Sequence, residues 1–313
     1  MSTEKYFPEV IGQADAKKKL SFLINGYKKS SILPHLMFIA PKGCGKTFMA
    51  EFVCKALDKP YIPINCSTIK NIRRFWNELI VPHVSGKEIT IFFDEASEIP
   101  KDVTMALLTI LNENKNNRTT FSYEDFTVDF DFRQISFVFA TTEAQSIFHA
   151  LMDRCERIDL DEYSYSELAK IVRVDCGGEG IKFGKGVLKS ISSVLRGNAR
   201  AAQKMSTKIK TYMTGERRKG FTQADWDTLK DNLGILPLGL SKIEYNLLHI
   251  LYDRKACSLT NLQGITGMSK ECLQRDIELY LQKHQLMEIG RDGRTLTTNG
   301  VEYLKEHGRN IKW

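Results

Sequence analysis

"APKGCGKTFMA" spans Ala40 to Ala50 of this 313-residue chain and resembles a phosphate-binding loop. The usual phosphate-binding loop is a glycine, four residues, and then Gly-Lys-Ser/Thr. Ala40 occupies the first position, and Gly45, Lys46 and Thr47 follow at the correct spacing. The apolar run HLMFIA precedes the loop, and KTFMAEFVCKAL, which has helical spacing, follows it. Strand, loop and helix in this order predict a phosphate-binding loop, with a plain helix cap as the alternative.

The loop residues have distinct expected tasks. Glycines let backbone N–H groups close around phosphate oxygens, and Gly43 and Gly45 are the ones expected to approach the phosphates. Lys46 is expected to reach the outer phosphates, and Thr47 to supply a hydroxyl to Mg²⁺. Alanine adds one methyl group at position 40, which the loop can accommodate if that residue keeps a negative φ.

Composition indicates a globular chain, with 42% hydrophobic and 27% charged residues. No apolar run reaches the roughly 20 residues that a membrane helix needs, and the N-terminus has no apolar signal region. The seven cysteines form no CxxC pair, which favours a reduced, cytoplasmic setting. The net charge of +7 lies entirely in 161–313, because basic and acidic residues balance in 1–160. That excess is compatible with a polyanionic partner, and equally with ordinary solvated lysines.

Three further apolar runs have the length of strands: YIPIN (61–65), EITIFFDE (88–95) and ISFVFATT (135–142). Helical patterns separate them, so we predict an α/β fold with a parallel sheet and helices on both faces. Ligands bind at the carboxyl ends of such strands. There, Asp94 suits Mg²⁺ coordination and Glu95 suits polarisation of an attacking water. An acidic helix cap after a buried strand is the alternative.

The second half of the chain has a different pattern. Residues 161–237 read as helices without a strand signal, which predicts a small helical lid domain after an ATPase domain at 1–160. Residues 238–313 predict three helices and a two-strand ribbon that turns at Asp292-Gly293, which is the pattern of a winged helix. Ser269 is the expected N-cap of the third helix of this domain.

The whole set resembles the AAA+ P-loop ATPases, and within them the RuvB family of Holliday-junction motors, over nearly the entire chain. VIGQADAKKKL (10–20) resembles the family's opening box beside the adenine, and APKGCGKT and FFDEAS resemble its Walker A and Walker B motifs. FATT (139–142) resembles sensor 1, and RGNARAAQ (196–203) resembles sensor 2. LMDRCERIDLDEY (151–163) resembles the segment that carries the arginine finger.

The resemblance implies an ATP site with Mg²⁺ and a role for each matching residue. Thr142 would hydrogen-bond near the γ-phosphate, Arg154 would be the arginine finger, and Arg200 would be the sensor-2 arginine. Tyr163 would lie beside the nucleotide, although simple packing explains a tyrosine there equally well. Considered one at a time, Thr142 could be a hydroxyl with a local hydrogen-bond partner, Arg154 could belong to a surface ion pair, and Arg200 could be a solvated residue on a helix surface. The implied nucleotide contacts are Ile11, Pro41, Gly43, Cys44, Gly45, Lys46, Thr47, Phe48, Tyr163 and Arg200.

The resemblance also implies DNA contacts. Arg294 matches the family's wing arginine, and Lys270 and Arg275 on the preceding helix could add phosphate contacts. A second group of basic residues falls where AAA+ rings place loops facing the pore: Lys70, Arg73 and Arg74. An ordinary basic helix face explains that second group equally well.

Residues 116–133 have the period-2 spacing of a β-hairpin. Phe121 and Tyr123 alternate on one arm, and Val128, Phe130 and Phe132 alternate on the other. In RuvB-like motors a hairpin at this position docks a junction-recognition protein. The acidic residues Asp129 and Asp131 disfavour contact with DNA phosphates, so we expect a junction-recognition or replication protein, or a purely structural hairpin. The turn Glu124-Asp125-Phe126 lacks glycine, which disfavours a tight two-residue turn.

Three departures mark a divergent member: Ala40 for glycine, no Leu-Arg-Pro before the first box, and Ala199 where a proline usually precedes the sensor-2 arginine. We expect a motor that is assembled as a ring or partial ring and translocates double-stranded or branched DNA. One alternative is a clamp-loader-like or helicase-loader-like switch that remodels a replication protein. The other is a DNA-binding regulator with a weak ATPase. Clamp loaders end in a helical collar, whereas this chain ends in a winged-helix pattern.

Overall fold

The computed structural model describes residues 5–83, 87–111, 118–123, 126–131, 135–216 and 218–307. The chain divides into two compact units. The first contains Met1–Glu179 and Gly197–Lys210, and the second contains Gly180–Arg196 and Thr211–Trp313. The segment 161–237, expected to be one lid domain, is therefore shared between the two units. The boundaries at 160 and 237 remain predictions.

The first unit is built on a five-stranded parallel sheet, which confirms the predicted α/β fold. Its strands lie in the order β2-β3-β6-β1-β7. They are β1 (Leu36–Ile39), β2 (Tyr61–Asn65), β3 (Thr90–Asp94), β6 (Ser136–Thr141) and β7 (Glu156–Asp159). The edge strand β7 was not predicted from the sequence, because only Ile158 of its four residues is buried.

Alternate residues of the central strands pack into two hydrophobic cores, one on each face of the sheet. Phe38, Phe92 and Val138 belong to one core, and Phe93 and Phe139 to the other. The rings of Phe93 and Phe139 stack with centroids 5.0 Å apart. Burial on both faces explains why these strands read as continuous apolar runs rather than as an alternation of apolar and polar residues.

Helices flank the sheet in the first unit. They are α1 (Ala14–Ser30), α2 (Lys46–Ala56), α3 (Ile72–Arg74), α4 (Val81–His83), α5 (Lys101–Ile110), α6 (His149–Met152) and α7 (Tyr165–Gly177). A π-helical segment, Phe75–Ile80, joins α3 to α4. Ser164 and Glu167 form a capping box at the start of α7, which fixes where that helix begins. No described helix of the chain is long and apolar enough to cross a membrane.

The predicted hairpin forms as β4 (Arg118–Tyr123) paired antiparallel with β5 (Phe126–Asp131). Phe121 lies opposite Val128. The sequence placed Phe126 in the turn, but it begins β5 and pairs with Tyr123, so that assignment was wrong. Glu124, Asp125 and Phe132 lie outside the described residues, and the faces of the hairpin remain predictions.

The second unit contains α8 (Val187–Ser192), α10 (Gln223–Asn232) and two short parallel strands, β8 (Lys182–Phe183) and β9 (Gly220–Phe221). The sequence analysis expected no strand here. Two residues are too short to show an alternating pattern, which explains the error. The residues of α9 (Ala199–Thr214) are divided between the two units.

The remainder of the second unit is the predicted winged helix. Its helices are α11 (Lys242–Arg254), α12 (Leu259–Thr266), α13 (Lys270–Cys272), α14 (Leu279–Lys283) and α15 (Thr298–His307), with a π-helical segment joining α13 to α14. Its antiparallel sheet has the order β10 (Ala256–Cys257), β12 (Gly293–Leu296) and β11 (Met287–Gly290). Ser269 accepts a hydrogen bond from the Cys272 N–H, which confirms the predicted N-cap.

The wing turns one residue earlier than predicted. Gly290 pairs with Gly293, so Arg291 and Asp292 form the turn. Gly293 has φ 108°, and a Cβ there would lie 2.6 Å from the Cys257 carbonyl oxygen. Only glycine fits at this first residue of β12.

Candidate nucleotide site

The loop between β1 and α2 has the backbone of a phosphate-binding loop. Gly43 and Gly45 have φ values of 84° and 89°, and they are the only described residues of this loop with positive φ. Ala40 is buried, and its N–H donates to the Thr141 carbonyl at 3.3 Å. The alanine therefore keeps the backbone conformation that its side chain requires.

Lys46 lies at the first position of α2 with its side chain turned back over the loop. Its Nζ donates to the carbonyl oxygens of Ala40 at 2.9 Å and Pro41 at 3.2 Å. Burial lowers the pKa of Lys46, and the nearby negative groups, Asp94 among them, oppose that shift. A buried ammonium held only by carbonyl oxygens is well placed to exchange them for phosphate oxygens.

An acidic pair lies at the carboxyl end of β3. Asp94 Oδ2 accepts a hydrogen bond of 3.0 Å from Thr47 Oγ1. The Glu95 N–H donates to Asp94 Oδ1 at 3.1 Å, and Glu95 itself is exposed with φ 57°. Mg²⁺ commonly takes one or two carboxylates together with phosphate oxygens and water, so Thr47 and Asp94 fit this ion. The structure describes no group of three or more His, Cys, Asp or Glu side chains that could hold a metal without a nucleotide.

A cavity of about 650 Å³ lies over the loop, within the size range of small-molecule sites. Most of the predicted site residues line it: Ile11, Gly43, Gly45, Lys46, Thr47, Phe48, Asp94, Glu95, Thr142, Tyr163 and Arg200. Pro41 and Cys44 are not among the described lining residues. The Cys44 side chain is buried in the core, so only its backbone could face a phosphate.

Further residues line the cavity besides the predicted contacts, and four of them lie within motifs quoted from the sequence: Val10, Lys42, Ala199 and Gln203. The full set of further lining residues is Pro8, Glu9, Val10, Lys42, Ile171, Val174, Asp175, Ala199 and Gln203. Ile171, Val174 and Asp175 are spaced as one face of α7, and Ala199 and Gln203 as one face of α9. The sequence carries no signal for the wall formed by α7, because the 68% exposure of Val174 is visible only in the structure.

The opening box packs against the segment that follows β7. The Gln13 side chain donates to the Asp161 carbonyl at 2.8 Å and accepts from the Asp161 N–H at 3.0 Å. Tyr163 is buried, and burial raises the pKa of its hydroxyl. A Cβ on Gly12 would lie 3.3 Å from the Tyr163 ring. The box and Tyr163 thus form one connected wall of the cavity.

Arg154 lies elsewhere. Its Nη1 donates to the Ala150 carbonyl at 2.8 Å, and it is not among the described residues that line the cavity of its own chain. The position of Arg154 outside the nucleotide site of its own chain is compatible with a role in the nucleotide site of a neighbouring subunit.

Arg294 is the one predicted DNA contact whose placement argues against its expected role. The Arg294 side chain is 11% exposed. Its Nε and Nη2 donate to the two carboxylate oxygens of buried Glu278, at 2.9 and 3.1 Å. A guanidinium bound to a buried carboxylate in this way is less available to neutralise a phosphate than an exposed one. Arg291, which the sequence analysis did not single out, is exposed in the wing turn instead.

The other predicted DNA contacts are exposed. Lys270 begins the third helix of the winged helix, and Arg275 lies on the same helix with Nη1 3.5 Å from Glu271. The second basic group is also at the surface: Lys70, Arg73 and Arg74. The Arg74 Nε is 3.2 Å from Glu78.

A phosphate-binding loop after β1, an acidic pair at the end of β3 and the intervening strand β6 define a P-loop ATPase. Residues 36–162 match the family model for the ATPase family associated with various cellular activities (AAA). Residues 237–305 match the model for the RuvB C-terminal winged helix domain. The chain therefore combines an AAA ATPase domain with a winged helix of the RuvB C-terminal type, which supports the resemblance to the RuvB-like AAA+ ATPases.

Known proteins of the same organisation are similar over almost their full length. The Holliday junction branch migration complex subunit RuvB of Ehrlichia canis is 26% identical over 326 residues, which covers 95% of this chain and 91% of that protein. Its counterpart from the Wolbachia of Brugia malayi is 22% identical with the same coverage. A solved structure of the Thermotoga maritima RuvB Holliday junction branch migration motor aligns with a TM-score of 0.78 at 21% identity, covering 94% of this chain and 95% of that one.

Proposed function

We propose that this protein is an ATP-driven motor that translocates duplex DNA during branch migration or a related processing of branched DNA. One observation carries the proposal: a nucleotide cavity of AAA+ type and a winged helix of RuvB type occur in a single chain. Relatives of this organisation are named as branch migration complex subunits. Recombination and repair are the processes in which such a motor acts.

The chemistry follows from the cavity. Lys46 would exchange the carbonyls of Ala40 and Pro41 for phosphate oxygens of ATP. Thr47 and Asp94 would hold Mg²⁺, which neutralises charge between the outer phosphates. Glu95, exposed at the end of β3, would polarise the attacking water.

Sensor residues would report the state of the nucleotide. Thr142 and Arg200 both line the cavity, and each can contact the terminal phosphate. Tyr163, Ile11 and Phe48 lie where they can contact the rest of the nucleotide. Cys44 can contribute only its backbone, and Pro41, which has no N–H, cannot donate to a phosphate.

Hydrolysis would require a second subunit. Arg154 would enter the neighbouring site and stabilise charge on the transferring phosphoryl group. The motor would therefore act as a ring or partial ring. The pore would be lined by the second basic group, Lys70, Arg73 and Arg74.

Duplex DNA would be held by the winged helix. Lys270 and Arg275 would contact phosphates from the third helix, and Arg291 would do so from the wing. The hairpin formed by β4 and β5 would dock a junction-recognition or replication protein. Such a protein would present a basic surface to the acidic hairpin.

The test is migration of a mobile four-way junction, labelled so that resolution into two duplexes is measured, with and without Mg²⁺-ATP. Glu95→Gln and Lys46→Ala are the matched controls, because the first should bind ATP without turnover and the second should not bind it. We expect ATP-dependent resolution by the unmodified protein alone. A wild-type protein that hydrolyses ATP but acts only when a sliding clamp or a helicase is supplied would be a loader, and the motor proposal would fail.

A further inference from the structure

The start of α9 is tied to the phosphate-binding loop by three hydrogen bonds. The Asn198 side-chain amide donates to the Lys42 carbonyl at 3.0 Å. The N–H groups of Ala199 and Arg200 both donate to the Gly43 carbonyl, at 3.1 and 3.4 Å. All five residues belong to the first unit. The first N–H groups of a helix have no partner within the helix, and here two of them bind the nucleotide loop.

The close approach depends on Gly43. A Cβ on this residue would lie 2.2 Å from the Asn198 side-chain oxygen. That oxygen also accepts a hydrogen bond from the Ala201 N–H at 3.0 Å, so Asn198 caps the helix with one end of its amide and binds the loop with the other. The Asn198 side chain thus both caps α9 and binds the loop, and a substitution can remove one of these contacts while keeping the other.

Ala199 supplies a donor that the common pattern lacks. A proline usually precedes the sensor-2 arginine, and proline has no N–H. The bond from Ala199 to Gly43 is therefore available to this chain because it departs from the pattern. Ala199 and Arg200 both line the cavity, so the bond lies beside the nucleotide site.

We propose that Asn198 and Ala199 are positioning residues that hold Arg200 against the phosphate end of the cavity before nucleotide binds. We call Asn198, Ala199 and their two carbonyl partners on Lys42 and Gly43 the loop clamp. The clamp fixes the start of α9 relative to the loop, so the Arg200 guanidinium does not have to be ordered when ATP enters. This inference rests on the proposed ATPase function and assigns the residues that prepare its sensor.

Two substitutions each remove one hydrogen bond of the clamp and leave the helix start intact. Asn198→Asp keeps an oxygen that can cap the helix but has no amide to donate to Lys42. Ala199→Pro removes the N–H at a first helical position, where proline is well tolerated. Ala199→Ser is the conservative partner of the proline variant because it keeps the N–H. Lys204→Ala, on an exposed position of the same helix, controls for surface changes.

The experiment measures ATP hydrolysis without DNA, the affinity for a fluorescent ATP analogue, and the unfolding midpoint without nucleotide. We expect Asn198→Asp and Ala199→Pro each to lower kcat about fivefold, the effect of one lost hydrogen bond. The kcat of Ala199→Ser should be about fivefold higher than that of Ala199→Pro, because serine keeps the N–H. In an Arg200→Ala background, neither clamp variant should lower kcat further, because the residue that the clamp positions is already gone.

Three results would overturn the inference. Equal losses with and without Arg200 would show that these residues act only on the stability of the fold, as would losses explained by a lower unfolding midpoint. Unchanged kcat in both clamp variants would show that the hydrogen bonds do not matter for catalysis. The motor proposal would fail on a different result, namely a wild-type protein that hydrolyses ATP without migrating a junction. That result leaves the comparison of the clamp variants with and without Arg200 valid. A wild-type protein without ATPase activity would remove the basis of both.

Discussion

Thr47 Oγ1 donates a hydrogen bond of 3.0 Å to Asp94 Oδ2, which joins the phosphate-binding loop to the carboxyl end of β3. Thr47 lies on α2, which follows β1, and Asp94 ends β3, which β6 separates from β1 in the sheet. The hydroxyl and the carboxylate are therefore already arranged as two neighbouring oxygen ligands. Ligands held in place before a cation binds lose little freedom on binding.

Thr47→Val and Asp94→Asn should each abolish the Mg²⁺ dependence of ATP turnover. We expect hydrolysis to fall by about 10² or more, because charge on the transferring phosphoryl group loses its metal. Binding of ATP measured in EDTA should change little, since Lys46 and the loop backbone remain. Thr47→Ser keeps the hydroxyl and is the matched control. A normal Mg²⁺ titration in Asp94→Asn would show that another group binds the metal.

Ala40→Gly should leave ATP affinity almost unchanged. Ala40 has no positive φ, and its methyl group packs in the core below the loop. Gly43→Ala is the informative contrast, because its φ of 84° and the Asn198 side chain 2.2 Å from a new Cβ both oppose a side chain. Titration with a fluorescent nucleotide should separate the two variants by at least about tenfold. A tenfold loss in Ala40→Gly would mean that the alanine has a role in binding.

The sequence predicted the elements whose signal is local. The loop, the strands β2, β3 and β6, and the Ser269 cap follow from composition and spacing within a few residues. The edge strand β7 and the short strands β8 and β9 were not predicted, because β7 buries only Ile158 and β8 and β9 have two residues each. Arg294 could not be placed from sequence, since its partner Glu278 is 16 residues away on another element.

Arg154→Ala should bind ATP but hydrolyse it about 10³-fold more slowly, because an arginine supplied in trans stabilises charge in the transition state. Mixing it with Glu95→Gln subunits should restore part of the activity. In a mixed assembly, some sites combine an intact Glu95 from one subunit with an intact Arg154 from the next. The measurement is ATPase rate against mixing ratio, with subunit exchange followed separately. Mixed assemblies without any recovery would exclude a role in trans.

The Arg196–Glu244 pair in the second unit predicts a pH-dependent stability. Burial by itself would raise the pKa of Glu244, but hydrogen bonds from Arg196 and Ser241 outweigh burial and the pKa is lowered. Arg196 Nη1 donates to Glu244 at 2.9 Å, and the guanidinium also stacks 3.8 Å from the Tyr280 ring centroid. A carboxylate with a lowered folded pKa contributes stability above its unfolded pKa of about 4.3 and loses it as the pH falls through the folded pKa.

Arg196→Ala should therefore cost most stability near pH 7, and the difference from wild type should shrink below about pH 4, where Glu244 is protonated in the unfolded chain. Urea unfolding at several pH values measures this difference. Arg196→Lys keeps the positive charge but loses the bidentate hydrogen bonding to Glu244, so it is the control for charge alone. A difference that is constant with pH would assign the effect to stacking on Tyr280 and to the Arg196 hydrogen bonds with the Gly239 carbonyl, rather than to Glu244.

The wing makes the last prediction, which separates Arg291 from Arg294. Arg291 is exposed in the turn, whereas Arg294 is 9% exposed and bound to Glu278. Arg291→Ala should lower the slope of log affinity against log salt by about one, with unchanged stability, because one phosphate contact is lost. Arg294→Ala should instead destabilise the winged helix by about 3 kcal/mol, because Glu278 is left buried without its partner. Fluorescence anisotropy with a duplex at several salt concentrations, together with urea unfolding, distinguishes the two effects.

A double substitution decides whether Arg294 has any direct role. Replacing both members of a buried ion pair by apolar residues of similar volume is often neutral or stabilising. Arg294→Met combined with Glu278→Leu should therefore restore stability and, with it, DNA affinity and the full salt slope. If stability returned while the salt slope stayed about one unit lower, Arg294 would leave Glu278 to reach a phosphate when DNA binds. The prediction that Arg291 replaces it as the wing contact would then be wrong, despite the burial of Arg294 in the free protein.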